Sequence, residues 1–417
     1  MSHPLNVAII GLGGFAGAHH RTVRALELEG QCQLACVSSR SQPLDRTKDL
    51  DLEGRGVRLF TDWKQMLDIC GDELDMVCVP TPLNMHAPMH RDCVDRGLPV
   101  FLEKPPTNDY AELASMLDVE QRAGKQTFVG FNFICQKPRQ ELKRRLLDGE
   151  FGKIKRTELL GLWPRPTSYY QRASWAGRLL VNGQIVLDSC FGNALAHHVF
   201  NMIFWHGRGE LLSWGRVVQV EAELYRAHAI EGTDTTFVRA KMDDAGELRI
   251  ALTHACEGEN IHSETIVCEK AKIVYTTGRG YEVHWIDGRV ESGDEDSRGT
   301  MMQNWCTYLD YLRGQIDRPL IRLDDCVSYV HLYDLCYVAA DRIVSVGPPH
   351  LDRIDLEGEA GQNVVIHQIS EACKQFLKDG AFPSAQGRAW ASPGGCATEQ
   401  ELPRLRSVVE RLAKIVH

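Results

Sequence analysis

Short apolar runs alternate with amphipathic segments over the first 130 residues. The runs lack the polar and apolar alternation of a half-solvated strand, which is typical of strands covered by helices on both faces. The predicted strands are Asn6–Ile10, Gln33–Val37, Val57–Phe60, Met76–Val79, Val100–Leu102 and Thr127–Val129. The clearest predicted helices are Ala16–Leu28, Asp62–Cys70, Met85–Arg96 and Tyr110–Ala123. This order predicts an α/β fold with a doubly wound parallel sheet at the N-terminus.

The pattern changes after Gly130, where longer strands with alternating character appear. The predicted strands are Lys153–Leu162, Gly215–Leu224, Thr235–Met242, Glu247–His254, Glu264–Cys268 and Ala271–Thr276. The predicted helices are Pro138–Leu147, Ala194–Trp205, Met301–Arg313 and Leu323–Val346. Consecutive alternating strands predict a C-terminal α+β domain with a large, mostly antiparallel open sheet.

The end of the chain reads as a loop followed by a helix. Residues Gly380–Thr398 are rich in Gly, Pro, Ser and Ala, and Glu399–Ile415 has apolar residues at helical spacing. That apolar stripe is suited to packing on the body of the protein or on a second subunit. We therefore predict three parts: an N-terminal domain with the parallel sheet at 1–130, a second α/β domain at 131–350, and a C-terminal extension, a loop plus a helix, at 351–417.

Composition narrows the class of protein. The 417 residues are 43% apolar and 25% charged. The net charge of −9 means that the protein as a whole does not attract nucleic acid, so no nucleic-acid partner is expected. No apolar run approaches the roughly 20 residues that span a membrane, and the N-terminus lacks the features of a secretory signal. The fourteen cysteines are scattered without a Cys-x-x-Cys pair, which predicts reduced thiols and a cytoplasmic protein.

A glycine turn follows the first predicted strand and opens a helix. In Gly11-x-Gly13-x-x-Ala16, the first glycine permits a tight turn, the second lets a pyrophosphate approach, and the alanine allows close packing of helix on strand. Gly14 and Phe15 lie at the helix N-terminus, where N–H groups favour phosphate. The pattern predicts a Rossmann dinucleotide site.

Two further segments are candidates to contact the dinucleotide. The second strand ends at Ser39 and Arg40 without the acidic residue that usually accepts from the ribose hydroxyls of NAD, which favours NADP over NAD. Thr81, Asn84 and His86 follow the fourth strand, at the sheet edge where ligands of open α/β sheets bind.

Glu103-Lys104-Pro105 follows the fifth strand at the same edge. The ammonium group of Lys104 can stabilise a developing alkoxide or polarise a carbonyl, which suits hydride transfer at a carbon that bears oxygen. Glu103 is a candidate to accept from the nicotinamide ribose and to orient Lys104.

The sequence resembles the Gfo/Idh/MocA oxidoreductase family over roughly residues 5–345. The motifs that carry the resemblance are the glycine turn, Thr81-Pro82-x-Asn84-x-His86, Glu103-Lys104-Pro105 and Gly130-Phe131-Asn132. The resemblance implies a Rossmann domain, then a domain whose open sheet faces the nicotinamide. It further implies sugar-like or cyclitol substrates and homodimers or homotetramers formed through that sheet. Asn132 is a candidate substrate residue.

The chain departs from the family pattern Asp-x-Gly-x-His. Asp188 matches its first half and His197 its second half, but His197 stands nine positions after Asp188, where four are usual. Asn193 stands four residues before His197, and Phe200 replaces a second aspartate. The resemblance implies that His197 is the general acid/base. The role of the family's aspartate in completing the catalytic site is then filled either by Asp188 or by Asn193. Adjacent histidines cannot share one helix face, so no metal is expected.

The loop after Leu162 offers aromatic faces and cationic donors for a sugar-like substrate. The candidate substrate residues there are Arg165, Tyr170, Arg172 and Trp175. The leading hypothesis is an NAD(P)-dependent dehydrogenase or reductase for a sugar, cyclitol or derivative. The alternatives are an NAD-dependent glycosidase of the same family and a non-catalytic dinucleotide- or sugar-binding sensor.

Overall fold

The computed structural model describes residues 3–41, 44–258, 260–356 and 361–415, and the side chains of 44–46 lie outside this description. The first of two units combines Met1–Thr107, Ala111–Cys135 and Ser297–Cys326. The second combines Asn108–Tyr110, Gln136–Asp296 and Val327–His417.

The strands and helices run in the following order along the chain. The strands are β1 (Leu5–Ile10), β2 (Cys32–Ser38), β3 (Arg58–Phe60), β4 (Met76–Val79), β5 (Val100–Leu102), β6 (Phe128–Val129), β7 (Ile154–Leu162), β8 (Leu180–Val181), β9 (Gln184–Ile185), β10 (Val217–Arg226), β11 (Thr235–Met242), β12 (Glu247–Thr253), β13 (Ile261–Cys268), β14 (Ala271–Thr276), β15 (Gly280–Trp285), β16 (Val290–Gly293), β17 (Val344–Ser345), β18 (Leu351–Asp355), β19 (Gln362–Ile366) and β20 (Gly395–Thr398). The helices are α1 (Ala16–Leu28), α2 (Leu44–Asp49), α3 (Trp63–Cys70), α4 (His86–Val94), α5 (Tyr110–Glu120), α6 (Lys137–Leu147), α7 (Ala196–His206), α8 (Thr300–Leu312), α9 (Val327–Ala340), α10 (Ile369–Asp379) and α11 (Leu405–Lys414).

The first unit contains a six-stranded sheet in the order β3-β2-β1-β4-β5-β6, with every neighbouring pair parallel. All residues of β4 and β5 are buried, which explains why the apolar runs do not alternate. Helix α8 adds Trp305, whose ring centre lies 5.1 Å from that of Phe101 on β5. The predicted doubly wound sheet is confirmed.

The second unit contains a ten-stranded sheet in the order β16-β15-β14-β13-β7-β12-β11-β10-β17, with β20 also paired to β10. The pairs β7–β12 and β10–β17 are parallel, and the others are antiparallel. The predicted mostly antiparallel sheet is therefore confirmed, and it is larger than the sequence pattern indicated because β15 and β16 extend one edge.

Three parts of the sequence prediction need correction: a long helix, the C-terminal extension and the last helix. The helix expected over Leu323–Val346 ends at Ala340, because Asp341 takes a left-handed φ of 54° and the chain then pairs as β17 with β10. The extension expected to be a loop plus a helix also contains β18, β19 and α10, and the predicted loop ends in strand β20. The expected helix Glu399–Ile415 begins as a 3₁₀ turn at Glu399–Arg404.

The helices and the cysteines of the described residues have the following properties. No helix among the described residues is long and apolar enough to cross a membrane. All fourteen cysteines lie in the described ranges as free thiols, and twelve of them are buried.

Candidate active site

The glycine turn lies open at the carboxyl end of β1. Gly11 has a φ of 135°, and a Cβ atom there would lie 3.2 Å from Cβ of Ala16, so both small residues are needed. A Cβ at Gly13 would meet no atom within 4 Å, which leaves room for a ligand. Helix α1 has no acidic residue in its first turn and no side-chain cap. This open, positively polarised helix N-terminus fits a dinucleotide pyrophosphate.

Two buried histidines of α1 hold the site in place. His20 donates from Nε2 to the Gly11 carbonyl oxygen at 2.8 Å. His19 accepts at Nδ1 from the indole of Trp305 at 3.1 Å, so its Nε2 donates to Oε1 of Glu103 at 3.0 Å. The glycine turn and the acid that precedes Lys104 are therefore both fixed by one helix.

Lys104 is half-buried on a constrained turn after β5. Its main-chain N–H donates to Oε2 of Glu103 at 3.1 Å, and the Lys104–Pro105 peptide bond is cis. Glu103 is 5% exposed, and each of its oxygens already accepts a hydrogen bond inside the first unit. The geometry thus gives Glu103 a part in positioning the Lys104 backbone.

The His86 side chain contacts both the turn after β4 and the turn after β5. Its Nε2 lies 2.9 Å from the Thr81 carbonyl oxygen, and its Nδ1 lies 2.9 Å from that of Pro105. Burial lowers the pKa of His86, although the two carbonyl oxygens act in the opposite direction. Of the three residues predicted on the β4 turn, His86 is buried, whereas Thr81 and Asn84 are half-buried.

Gly130, at the end of β6, packs directly on the Glu103 side chain. A Cβ atom there would lie 2.9 Å from Oε1 of Glu103 and 3.0 Å from the ring of Phe101. We expect Gly130→Ala to lower the free energy of unfolding by about 1–3 kcal/mol through overpacking, and to weaken dinucleotide binding because Glu103 must shift. Thermal unfolding and a dinucleotide titration would measure both.

Gly124→Ala is the matched control for that substitution. It lies in the same unit, its φ is not left-handed, and a Cβ there would meet nothing within 4 Å. Equal stability of the two variants would contradict the close packing of Gly130 on Glu103.

The end of β2 places Ser39 and Arg40 at the surface. The Ser39 N–H donates to the Phe60 carbonyl oxygen at 2.9 Å, and its hydroxyl donates to the Ser41 carbonyl oxygen at 2.7 Å. Arg40 is exposed.

In the second unit, Asp188 and Asn193 lie side by side. Asn193 donates from Nδ2 to Oδ1 of Asp188 at 2.7 Å, while Oδ2 accepts from the Gly177 N–H at 2.7 Å and faces Arg172 at 3.4 Å. Burial raises the pKa of Asp188, and these donors oppose the rise. The two residues treated as alternatives in the sequence thus form one hydrogen-bonded pair.

A five-residue π-helical turn, Cys190–Ala194, separates Asp188 from α7 and accounts for the longer spacing to His197. Tyr333 shapes this turn. Its hydroxyl donates to the Leu187 carbonyl oxygen at 2.5 Å and lies 2.5 Å from Oγ of Ser189. A Cβ at Gly192 would lie 2.5 Å from the Tyr333 ring. His197 is half-buried in the first turn of α7.

Asn108 also holds this turn. It lies four residues after Lys104 in the sequence and belongs to the second unit. Its Nδ2 donates to the Val186 carbonyl oxygen at 2.9 Å and lies 3.4 Å from that of Gly192. Asn108 therefore fixes the loop that bears Asp188 and Asn193.

The four candidate substrate residues of the 163–175 loop fall into two groups. The guanidinium of Arg165 lies 3.9 Å from the ring centre of Trp163, and that of Arg172 lies between Tyr169 and Trp175, at 3.8 Å and 4.7 Å from the two ring centres. These three candidates, Arg165, Arg172 and Trp175, are thus part of a stacked cation–π layer.

Tyr170, the fourth candidate, lines a cavity of about 330 Å³ in the second unit. The cavity also has hydroxyl and charged side chains, among them Thr167, Ser174 and Glu231. Asn132, the remaining candidate, is half-buried after β6 in the first unit. In the part of the chain that the structure describes, no group of three or more His, Cys, Asp or Glu is placed to hold a metal ion.

Comparison with known proteins connects this site to a family. Residues 5–131 match the family model GFO_IDH_MocA, described as an oxidoreductase family with an NAD-binding Rossmann fold. The N-terminal part of the chain is therefore similar to the Gfo/Idh/MocA oxidoreductase family. The matched range contains the glycine turn, the Thr81–His86 turn and the Glu103-Lys104-Pro105 turn.

Curated proteins similar to this chain include two inositol dehydrogenases. Inositol 2-dehydrogenase of Corynebacterium glutamicum is 26% identical over 225 residues, or 54% of this chain and 58% of that protein. Inositol 2-dehydrogenase 4 of Saccharopolyspora erythraea is 28% identical over 150 residues, or 36% and 43%. The chain thus spans about half the length of these relatives.

Among solved structures, the WlbA dehydrogenase of Bordetella pertussis, in complex with NADH and UDP-GlcNAcA, has a TM-score of 0.65 at 20% identity. The similarity covers 79% of this chain and 94% of that one. At this identity the likeness establishes the fold, and it extends well beyond the range matched by the family model.

Several residues that shape the candidate site were not identified from the sequence as functional. They are His19, His20, Asn108 and Tyr333. The two histidines had a local signal, because they lie on the helix opened by the glycine turn. Asn108 and Tyr333 had none, because their partners lie about 80 and 145 residues away in the chain.

Proposed function

We propose that this chain is an NAD(P)-dependent oxidoreductase that transfers a hydride between nicotinamide and a hydroxyl-bearing or carbonyl carbon of a sugar, cyclitol or derivative. The observation that carries the proposal is the Lys104 turn. A half-buried cation stands at the ligand edge of a dinucleotide-type sheet, on a backbone fixed by Glu103, His19 and His86. A cation so placed favours negative charge on a substrate oxygen.

The roles of the side chains follow from their chemistry. The nicotinamide, when bound, donates or accepts the hydride. Lys104 stabilises the oxygen as it gains negative charge, and His197 exchanges the hydroxyl proton, since an imidazole titrates near neutral pH. We assign Asp188 a positioning role, because its carboxylate is buried and occupied by Asn193, Arg172 and the Gly177 N–H.

The substrate class is proposed from the polar cavity and the relatives. The cavity is lined by hydroxyl, amide and charged side chains as well as by alanines and an isoleucine, which suits a polyol. Two matched relatives are inositol 2-dehydrogenases. A panel of inositols, aldoses and sugar acids, assayed with NAD and NADP by nicotinamide absorbance, tests the proposal. Turnover of a glycoside without net reduced cofactor, or no turnover with any member, would contradict it.

We also propose that NADP is preferred over NAD, because no acidic residue stands in the sequence between the end of β2 and Asp45, and Arg40 is exposed there. Arg40→Ala is expected to weaken NADPH binding roughly 10- to 100-fold, the worth of a charge-assisted hydrogen bond to phosphate, while NADH binding changes little. Fluorescence titration of both cofactors measures this. Arg122→Ala, at another exposed arginine of the same unit, is the control. Equal losses for both cofactors would contradict the preference.

Reduced thiols support a reducing compartment such as the cytoplasm for this enzyme, because all fourteen cysteines are free.

A further inference from the structure

One face of the large sheet carries an apolar patch. Because alternate residues of a strand point to opposite faces, the side chains of Leu162 on β7, Tyr225 on β10, Phe237 on β11 and Ala251 on β12 share this face and belong to one buried cluster. An uncovered patch of this kind would be suited to contact another protein chain.

The chain's own C-terminal segment, residues 361–391, covers this patch. Helix α10 has apolar residues at helical spacing, and its Phe376 ring centre lies 5.5 Å from that of Phe237. Trp390 follows in the next loop, with its ring centre 5.1 Å from that of Tyr225. The buried members of the segment are Val364, Ile366, Ile369, Ala372, Cys373, Phe376, Leu377 and Trp390.

Polar contacts hold the segment in register. Arg249 of β12 donates to the Leu377 carbonyl oxygen at 2.8 Å, and Arg239 of β11 donates to that of Gly380 at 3.3 Å. Both arginines thus lie at the C-terminal end of α10, where the helix dipole favours cations. These hydrogen bonds fix the segment at one position on the sheet.

The part of this face beyond α10 is polar and charged. A cavity of about 300 Å³ there is lined by Arg156, Glu158, Ser263, Lys272 and Lys374, among others. Arg156 donates from Nε to Oε1 of Glu158 at 2.6 Å. In a symmetric dimer the same patch meets its own copy, and burying these charged groups would cost their hydration.

We infer that residues 361–391 take the place of a second subunit on this face, so that copies of this chain do not associate through the large sheet. The inference gives the C-terminal extension a role and is independent of the proposed chemistry. It departs from the sheet-mediated dimer or tetramer that the family resemblance implied.

Light scattering of the full chain during size-exclusion chromatography, over a range of concentrations, tests the inference. Gln375→Arg places a charge on the exposed side of α10, and Gln121→Arg is the matched control in the first unit. We expect either a monomer of 46.9 kDa throughout, or an oligomer of equal mass in both variants. An oligomer dissociated by Gln375→Arg alone would overturn the inference.

A second measurement tests whether the patch holds the segment. Phe376→Ala is expected to raise amide hydrogen exchange in residues 361–391 at least tenfold, to leave the first unit unchanged, and to make the chain associate. Ile286→Ala, at a side chain that is 80% exposed, is the control. Unchanged exchange in 361–391 would show that this patch does not hold the segment and would overturn the inference.

Discussion

Lys104→Met is expected to lower kcat by roughly 10³-fold, the scale of losing one electrostatic stabiliser of a developing oxyanion. Methionine matches the length and apolar stem of lysine but carries no charge, so the turn held by Glu103 and His86 should persist. Dinucleotide affinity should therefore stay within a few-fold. Steady-state kinetics with the best substrate of the panel, together with cofactor titration by fluorescence, would measure the two quantities separately.

Lys104→Arg is the informative companion, because it keeps the charge and changes its shape and reach. It should retain more activity than the methionine variant. Lys137→Met, at an exposed lysine of the second unit, controls for the loss of one positive charge. Turnover of Lys104→Met within fivefold of the parent would refute the role given to this residue.

The same variant can test whether Lys104 and His197 act on one reacting centre. Residues that act as a unit show strongly non-additive effects, whereas independent sites add. We expect His197→Gln to lower kcat about 10²- to 10⁴-fold alone, and the double variant to lose far less than the product of the two single losses. Additive losses would mean that the ammonium and the imidazole serve different sites.

The local pattern of the first unit was sufficient to predict its sheet. Fully buried parallel strands give unbroken apolar runs, and β4 and β5 lie at the predicted positions. The glycine turn and the Lys104 turn could be placed at one sheet edge for the same reason, since carboxyl ends of parallel strands meet there. The hydrogen bond between Glu103 and His19 could not be predicted, because the two residues lie 84 positions apart in the sequence.

The C-terminal part was harder to predict because its elements depend on distant partners. Helix α10 has a clear helical period at Ile369, Ala372, Cys373 and Phe376 that would have supported its assignment, but no local feature indicates the face on which it packs. Strand β20 consists of Gly-Cys-Ala-Thr, which has low strand propensity and forms by pairing with β10. The left-handed residue that ends α9 is Asp341, a position that its sequence neighbours did not reveal.

Substitution of Arg139 is expected to have the second large effect, a loss of stability. Arg139 is fully buried and packs against α7. It donates from Nη1 to Oε2 of Glu264 at 2.6 Å and stacks 4.2 Å from the ring centre of Tyr275. Asn201 and Trp205 of α7 donate to the same carboxylate at 2.8 and 2.9 Å. The pair therefore anchors the helix that bears His197 to strand β13.

Burial acting alone would raise the pKa of Glu264, but the Arg139 guanidinium and the neighbouring His198 together outweigh it and lower the pKa to about 2. Because this folded-state value lies below the ordinary 4.5, ionisation of Glu264 stabilises the fold above pH 4.5. That contribution is lost as the pH falls from 4.5 to 2.

Arg139→Met should lower the free energy of unfolding by about 3–5 kcal/mol near pH 7, because it leaves a buried carboxylate without its counter-charge. Burial then dominates and raises the pKa of Glu264, so the penalty should shrink as the pH falls and the carboxyl takes up a proton. Arg139→Met combined with Glu264→Gln should recover most of the loss, since glutamine keeps the acceptor for Trp205. Urea unfolding between pH 4 and 7 measures the parent and both variants. A penalty that is constant with pH would mean that Arg139 stabilises the unit by packing rather than by charge.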